Sequence, residues 1–343
     1  MRITEELLRE LALLEQSERT IISFYLDLRL GWDKAEEELA SKIEKIKDAL
    51  SDNELEYYEA SLEFMFDYFE KKKAAGFKGP GLAFFIDLGE GYAKGVELTV
   101  AYKTCVSADD QAIIMPLALE LDEYEPVGVI MADASGARIL ISAGSLLEDA
   151  DDINAKIHHL SKVGGWSQMR YQRRRDKQIL HFAKEVANDA VTVFRKEKVN
   201  RILMAGRERI LTAIEEELPQ RWRESIIDSI KWDLAAPDNE FVRKIAPALV
   251  QAEREQEEEI FSRFLAEYRR GGLAKAGKVD TLAALELGQV DTLIVSKDLE
   301  FDLLEELTSK AEATSAHVEF MPSNNPELTK LGGVGALLRY SID

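Results

Sequence analysis

Cysteine is almost absent from this 343-residue chain, which carries one, Cys105, beside only four histidines. A lone cysteine closes no internal disulfide, and no Cys/His grouping has zinc-ligand spacing, so a metal-free fold in a reducing compartment is expected. Long apolar runs are missing as well. The most apolar stretch, 127–143, is broken by Asp133, Gly136 and Arg138 and falls short of the roughly 20 residues that span a bilayer. The opening residues MRITEELLRELALLEQ alternate acids with leucines, whereas a secretion signal needs a basic start and an unbroken apolar segment. A cytoplasmic protein with no membrane partner is the expectation. Positive charge is also in deficit: 44 Lys and Arg against 64 Asp and Glu leave a net charge of −20. Attraction to phosphate is the sequence-independent part of nucleic-acid binding, so such a chain is a poor general RNA binder and any RNA contact must be local. There is no low-complexity tract, no fixed-period repeat and no Ser/His/Asp nucleophile elbow.

What is present is apolar material for several cores, with 46% hydrophobic and 31% charged residues. At roughly 100–150 residues per domain, the length suggests three, and the pattern predicts an α+β / α/β multidomain fold. Residues 1–123 read as an α+β domain. It has an opening helix, a half-buried strand TIISFYLDL with Ile22, Phe24, Leu26 and Leu28 facing inward, two charged helices near Trp32–Leu50 and Glu54–Lys73, and strands GLAFFIDL, YAKGVELTV and QAIIMPLAL. Residues 124–241 read as a central α/β domain that opens with a hairpin, VGVIMAD turning at Gly136 into ARILISAG, and carries a projecting Gly-rich loop. Residues 242–343 start with a charged helix over Val242–Tyr268 and continue as a three-layer α/β/α domain. Gly332, Gly333 and Gly335 lack the strand-to-helix context of a phosphate loop and fit packing of the last strand better.

The charge deficit reverses once. Between Lys162 and Lys177 stand Lys162, Arg170, Arg173, Arg174, Arg175 and Lys177 against a single acid, Asp176. Ile179, Phe182, Ala183, Val186, Ala190, Val193 and Phe194 then recur at helical spacing, and extending that stripe backward meets Gln172 and Arg175 or Asp176. The first turns are thus polar where a core should lie, as expected of a helix that projects beyond its domain. Gly164 and Gly165 give the preceding loop backbone freedom and close approach to another surface. Trp166 has no periodic partner, and either caps its own domain or meets something outside it. Gln168 is no base or nucleophile at neutral pH, but its amide and backbone N–H can orient a water or stabilise an oxyanion. A solvated helix face and a plain turn are the alternative reading of the same residues. The adjacent His158 and His159 diverge and are poor chelators, and the acidic run 253–259 fits a solvated face.

The stretch GGWSQMRYQRRRDKQILHFAKEVAN resembles the region of archaeo-eukaryotic class I peptide-chain release factors in which Gly-Gly-Gln precedes an arginine-bearing helix. The hairpin before it is similar to the opening strands of the same central domain. AGKVDTLAALELGQVDTLIVSKDL and LGGVGALLRYSID are similar to the family's C-terminal domain, which is related to kink-turn-binding ribosomal proteins. The resemblance runs from about Pro126 to Asp343 and points to the release-factor-like, Vms-like and Pelota-related branch. It implies that Gly164, Gly165 and Gln168 correspond to the tripeptide that reaches the peptidyl transferase centre, and that Lys162, Trp166, Arg170, Arg173, Arg174, Arg175 and Lys177 contact RNA. It further implies the ribosome, with its RNA and peptidyl-tRNA, as partner, allows a translational GTPase at the C-terminal domain, and calls for no cofactor and no metal. Trp166 and Ser167 depart from the family by separating the second glycine from Gln168. The codon-reading Asn-Ile-Lys-Ser and Tyr-x-Cys-x-x-x-Phe motifs are not found. The implied activity is therefore codon-independent peptidyl-tRNA hydrolysis, with a non-enzymatic hibernation or occlusion factor as the alternative.

Overall fold

A computed structural model describes residues 3–15, 20–123, 125–143, 146–149 and 168–340, with backbone alone for 146–149 and 168–174. It resolves two compact units, one built from 1–123 with 257–343 and the other from 124–256. The first unit opens with α1 (Glu5–Ala12), whose N-terminal N–H of Leu7 donates to Thr4 Oγ1 at 3.1 Å. Then follow β1 (Ile21–Asp27), α2 (Trp32–Lys47), α3 (Asp52–Ala74), β2 (Gly81–Asp87), β3 (Tyr92–Leu98), β4 (Cys105–Asp109) and α4 (Met115–Glu123). A Ser51–Glu54 capping box starts α3, which explains why the helix begins where it does. The four strands form an antiparallel sheet in the order β3-β2-β1-β4.

The expected half-buried first strand is buried on both faces. Ile22, Phe24 and Leu26 pack beneath α2 and α3, while Ile21 and Tyr25 on the opposite face enter a second core. That second face is covered because α1, α4 and a helix from the last third of the chain lie on it. The segment QAIIMPLAL, expected as a strand, is instead mostly α4. Its Pro116 sits in the first helical turn, where a missing N–H costs nothing. Met115, Pro116, Leu117, Ala118 and Glu120 are all buried, so the helix is wrapped by protein and shows no amphipathic period.

The second unit contains β5 (Val127–Ala132), β6 (Ala137–Ala143), β7 (Leu146–Asp149), α5 (Gln168–Lys196), β8 (Arg201–Gly206), α6 (Glu208–Glu217), α7 (Gln220–Glu224) and β9 (Ile226–Lys231). Its sheet runs β7-β6-β5-β8-β9, antiparallel at the β5–β6 hairpin and parallel across β5, β8 and β9. One face packs on α5, α6 and α7. The other receives Phe241 and Ile245 from the start of α8 (Asp238–Arg269), a single helix that runs through the expected boundary at 241/242 and carries Phe261, Phe264 and Leu265 into the core of the first unit.

The chain ends with β10 (Ala274–Ala276), α9 (Lys278–Glu286), β11 (Val290–Ser296), α10 (Phe301–Ala313), β12 (His317–Met321), α11 (Pro326–Lys330) and β13 (Val334–Leu338). These strands pair in the order β10-β13-β11-β12, with α9 and α10 on one face and α8 and α11 on the other. A Cβ on Gly335 would lie 2.5 Å from the Phe264 ring, so the glycine lets α8 sit down on β13. The face bearing α9 and α10 shares one continuous core with α1, α4 and β1. At its centre the Glu305 carboxylate of α10 accepts the backbone N–H of Ile114 at 2.7 Å and of Met115 at 2.8 Å, capping α4 across 190 residues of sequence. Tyr25 donates its hydroxyl to the Ile113 carbonyl at 2.8 Å, and Ser23 Oγ accepts the Ile113 N–H at 3.0 Å. Burial also pushes the thiol of the half-buried Cys105 up to about 11. Among the described residues no helix is long and apolar enough to cross a membrane.

Burial outweighs the two N–H groups and lifts the Glu305 carboxyl from 4.5 to about 7. Between those values the folded chain holds a proton that the unfolded chain has released, so stability is full below about 4.5 and is lost as pH rises through 7. Glu305→Gln should flatten this window. In urea titrations at pH 5 and pH 8, the wild type should lose on the order of 2–3 kcal/mol more than the variant. Glu312, also lifted to about 7 mainly by burial, leaves a residual slope of the same sign in both.

Candidate functional site at the start of a basic helix

Of the site residues read from sequence, those that the structure describes fall at one end of α5. Its 29 residues begin at Gln168, and the first buried side chain described on it is Ile179. Eleven residues at 1.5 Å each put roughly 16 Å of helix between the two positions. From Ile179 onward α5 is held firmly. Phe182, Ala183, Val186, Ala190 and Phe194 pack on Ile130, Ile202 and Met204 of the sheet, on Ile210 and Ile214 of α6, and on Trp222 of α7. Phe194 reaches so far onto β5 that a Cβ on Gly128 would lie 2.5 Å from its ring. A strand glycine thus lets the helix come close.

Helical geometry sorts the charges. Positions 170, 173, 174 and 177 follow the i, i+3, i+4, i+7 rule and form one stripe, which continues into the exposed Leu180, His181 and Lys184. Positions 168, 172 and 175 fall on the line that leads to buried Ile179, on the opposite side of the helix. Gln168 and the basic stripe therefore occupy opposite sides. Arg175 and Lys177 are exposed. Asp176, the only acid of the stretch, is paired to Arg209 of α6 at 2.5 Å, a partner that sequence separation hid. Arg207 stands exposed two residues before it. Both come from the short run GRERI, whose signal was simply two arginines at the start of a helix. Lys162, Gly164, Gly165, Trp166 and Ser167, with His158 and His159, lie outside the described residues, and Gln168, Arg170, Arg173 and Arg174 are placed by their backbone. The first turn of α5 also presents backbone N–H groups with no partner inside the helix, a feature suited to an anion or a developing oxyanion.

Comparison with known proteins gives two family matches in chain order. The family described as Bacterial archaeo-eukaryotic release factor family 10 matches residues 113–249, which contain all of α5, and eRF1 domain 3 matches residues 255–342. The chain belongs to the archaeo-eukaryotic release-factor superfamily. Peptide chain release factor subunit 1 of Archaeoglobus fulgidus is 26% identical over 291 residues, covering 68% of this chain and 70% of that protein. The corresponding protein of Methanocaldococcus jannaschii is 29% identical over 248 residues, covering 66% of this chain and 58% of its own length. A chain of the ribosome-bound archaeal Pelota and ABCE1 model shares the fold at a TM-score of 0.50 and 20% identity, over 74% of this chain and 73% of that one. Superfamily membership and the multidomain α/β architecture therefore agree with the reading of the sequence.

The seating of α5 on β5 is directly testable. Gly128→Ala forces a methyl group against Phe194 and should cost about 1–3 kcal/mol by overpacking, read as a lower urea midpoint. Combining it with Phe194→Leu should cost less than the sum of the two single changes, because the smaller side chain makes room.

Proposed function

We propose that this protein hydrolyses peptidyl-tRNA on stalled ribosomes in the cytoplasm without reading a codon. The observation that carries the proposal is α5 itself: a helix anchored in its domain from Ile179 onward begins about 16 Å earlier at Gln168, with a basic stripe on the side away from its buried line. Such a stalk can carry a loop into a narrow RNA-lined channel while its arginines meet phosphate. In this mechanism Gly164 and Gly165 permit close approach of the loop to the substrate. The Gln168 amide orients a water against the ester carbonyl, and backbone N–H groups at the helix start stabilise the oxyanion. The ester C–O bond then breaks, giving the free peptide acid and the tRNA 3′-hydroxyl. No candidate base stands beside Gln168 in the sequence, so the proton goes to a group of the ribosome or the substrate. Lys162, Arg170, Arg173, Arg174, Arg175 and Lys177 neutralise phosphates, Trp166 stacks on a base, and the C-terminal domain is free to receive a translational GTPase.

A second reading has its own observation. Trp166 and Ser167 lengthen the loop between the second glycine and Gln168, and a tryptophan stacked at the tip suits a plug as well as a catalyst. The protein would then occlude the centre without chemistry.

Release of labelled peptide from stalled complexes, with ribosome co-sedimentation in the same samples, separates the two readings. Hydrolysis predicts that Gln168→Ala lowers release about 100-fold or more while binding persists. Binding without release by the wild type would establish occlusion. Arg173→Glu with Arg174→Glu should weaken co-sedimentation and make it less sensitive to salt, because fewer counterions are displaced.

A further inference from the structure

The last turn of α4 meets the edge strand β12 at a group of three side chains that the release-factor reading does not use. Asp122, His317 and Glu319 each offer one ligand atom, and these atoms all lie within 4.8 Å of one another. His317 and Glu319 are two residues apart on a strand, which puts them on the same face. Asp122 reaches the free edge of that strand, where its Oδ2 accepts the Phe320 N–H at 3.3 Å. The His317 side chain is 44% exposed and leaves the group open to solvent.

Glu319 is the feature that asks for an explanation. It is 1% exposed, and neither carboxylate oxygen has a hydrogen-bond partner. The ring Nε2 of His317 lies 3.5 Å from its Oε2. A buried carboxyl group with neither oxygen hydrogen-bonded is unfavourable, and a bound cation would compensate it. The Lys297 ammonium donates to Glu123 at 2.8 Å and also feels Asp122 and Glu257, so one lysine serves three acids before Glu319 is considered.

We propose that Asp122, His317 and Glu319 form a binding site for one divalent transition-metal ion, zinc fitting best, with water as fourth ligand. One imidazole and two carboxylates with an open position form a zinc-type donor set, whereas magnesium and calcium prefer oxygen alone. Tetrahedral bonds of about 2.0–2.1 Å set ligand atoms roughly 3.4 Å apart, so the three groups need to close by at most about 1.4 Å on binding. The bound ion joins the helix that ends the first segment of the chain to the sheet edge of the last, and neutralises Glu319.

The test uses the full-length protein freed of metal and titrated with Co²⁺, whose visible absorption reports an imidazole–carboxylate site, followed by displacement with Zn²⁺ and melting with and without Zn²⁺. The wild type should take up one Co²⁺ and melt several degrees higher with excess Zn²⁺. Glu319→Gln and His317→Ala should each bind at least about tenfold more weakly. Without metal, Glu319→Gln should melt no lower than the wild type, since it removes an uncompensated buried charge, and this separates loss of the site from loss of the fold. A His158→Ala/His159→Ala variant should keep the full response. Failure of the wild type to take up Co²⁺, unchanged affinity in Glu319→Gln, or a response lost only with His158 and His159 would each overturn the assignment.

Discussion

The first unit depends on a carboxylate that caps a helix from the far end of the chain. Ile114 and Met115 begin α4 in a buried setting with no local Ser, Thr, Asp or Asn to accept their N–H groups, and an uncapped buried helix end is costly. Glu305 supplies both acceptors from α10. Because the cap is tertiary, α4 is best satisfied when the segment ending at 123 and the segment starting at 257 are packed together. The rest of that seam follows from the same placement. Tyr25 and Ser23 fix the Ile113 peptide from the β1 side, and the apolar faces of α1, α4, α9 and α10 close a single core around it. The cost is electrostatic: the group that completes the hydrogen bonding is held where its own ionisation is resisted.

In the second unit the governing constraint is the packing of α5, whose described side chains enter the core from Ile179 onward. That packing explains how the start of the helix can be aimed. From Ile179 to Phe194 the helix is pressed on three strands and two helices, and the Gly128–Phe194 contact fixes its depth. A helix is a stiff rod over a few turns, so fixing its lower half sets the direction of its upper half. The position of Gln168 is thus set by a domain core built from residues outside the proposed site.

Much of this was legible in the sequence where a local signal existed. The β5–β6 hairpin, the apolar stripe on α5 and the layered helix–strand pattern of the last segment all followed from periodicity and turn residues. What escaped was tertiary. QAIIMPLAL looked like a strand because α4 is buried nearly all round and shows no helical period. The second buried face of β1 could not be seen, because its cover comes partly from α10, almost 300 residues away. The boundary expected at 241/242 fell within α8 because that helix serves two cores in turn, and a continuous charged helix carries no mark where its partner changes. Asp176 appeared as an unpaired acid until α6 brought Arg209 to it. Asp122, His317 and Glu319 escaped for the same reason, since a ligand set drawn from two ends of the chain has no spacing to read.

The charge distribution bears on the proposed contact with RNA. A chain of net charge −20 is repelled by phosphate in most orientations, and at physiological salt this repulsion decays over about 8 Å. The basic stretch around α5 can therefore attract RNA only if it stands clear of the acidic surface by more than that length. The roughly 16 Å of helix between Gln168 and Ile179 is longer than that distance, as the proposed contact requires. The Asp176–Arg209 pair contributes by removing the single acid of the stretch from the balance of free charge. In the proposed function acidity elsewhere would favour selectivity, because it would penalise modes of approach to RNA other than the one led by α5.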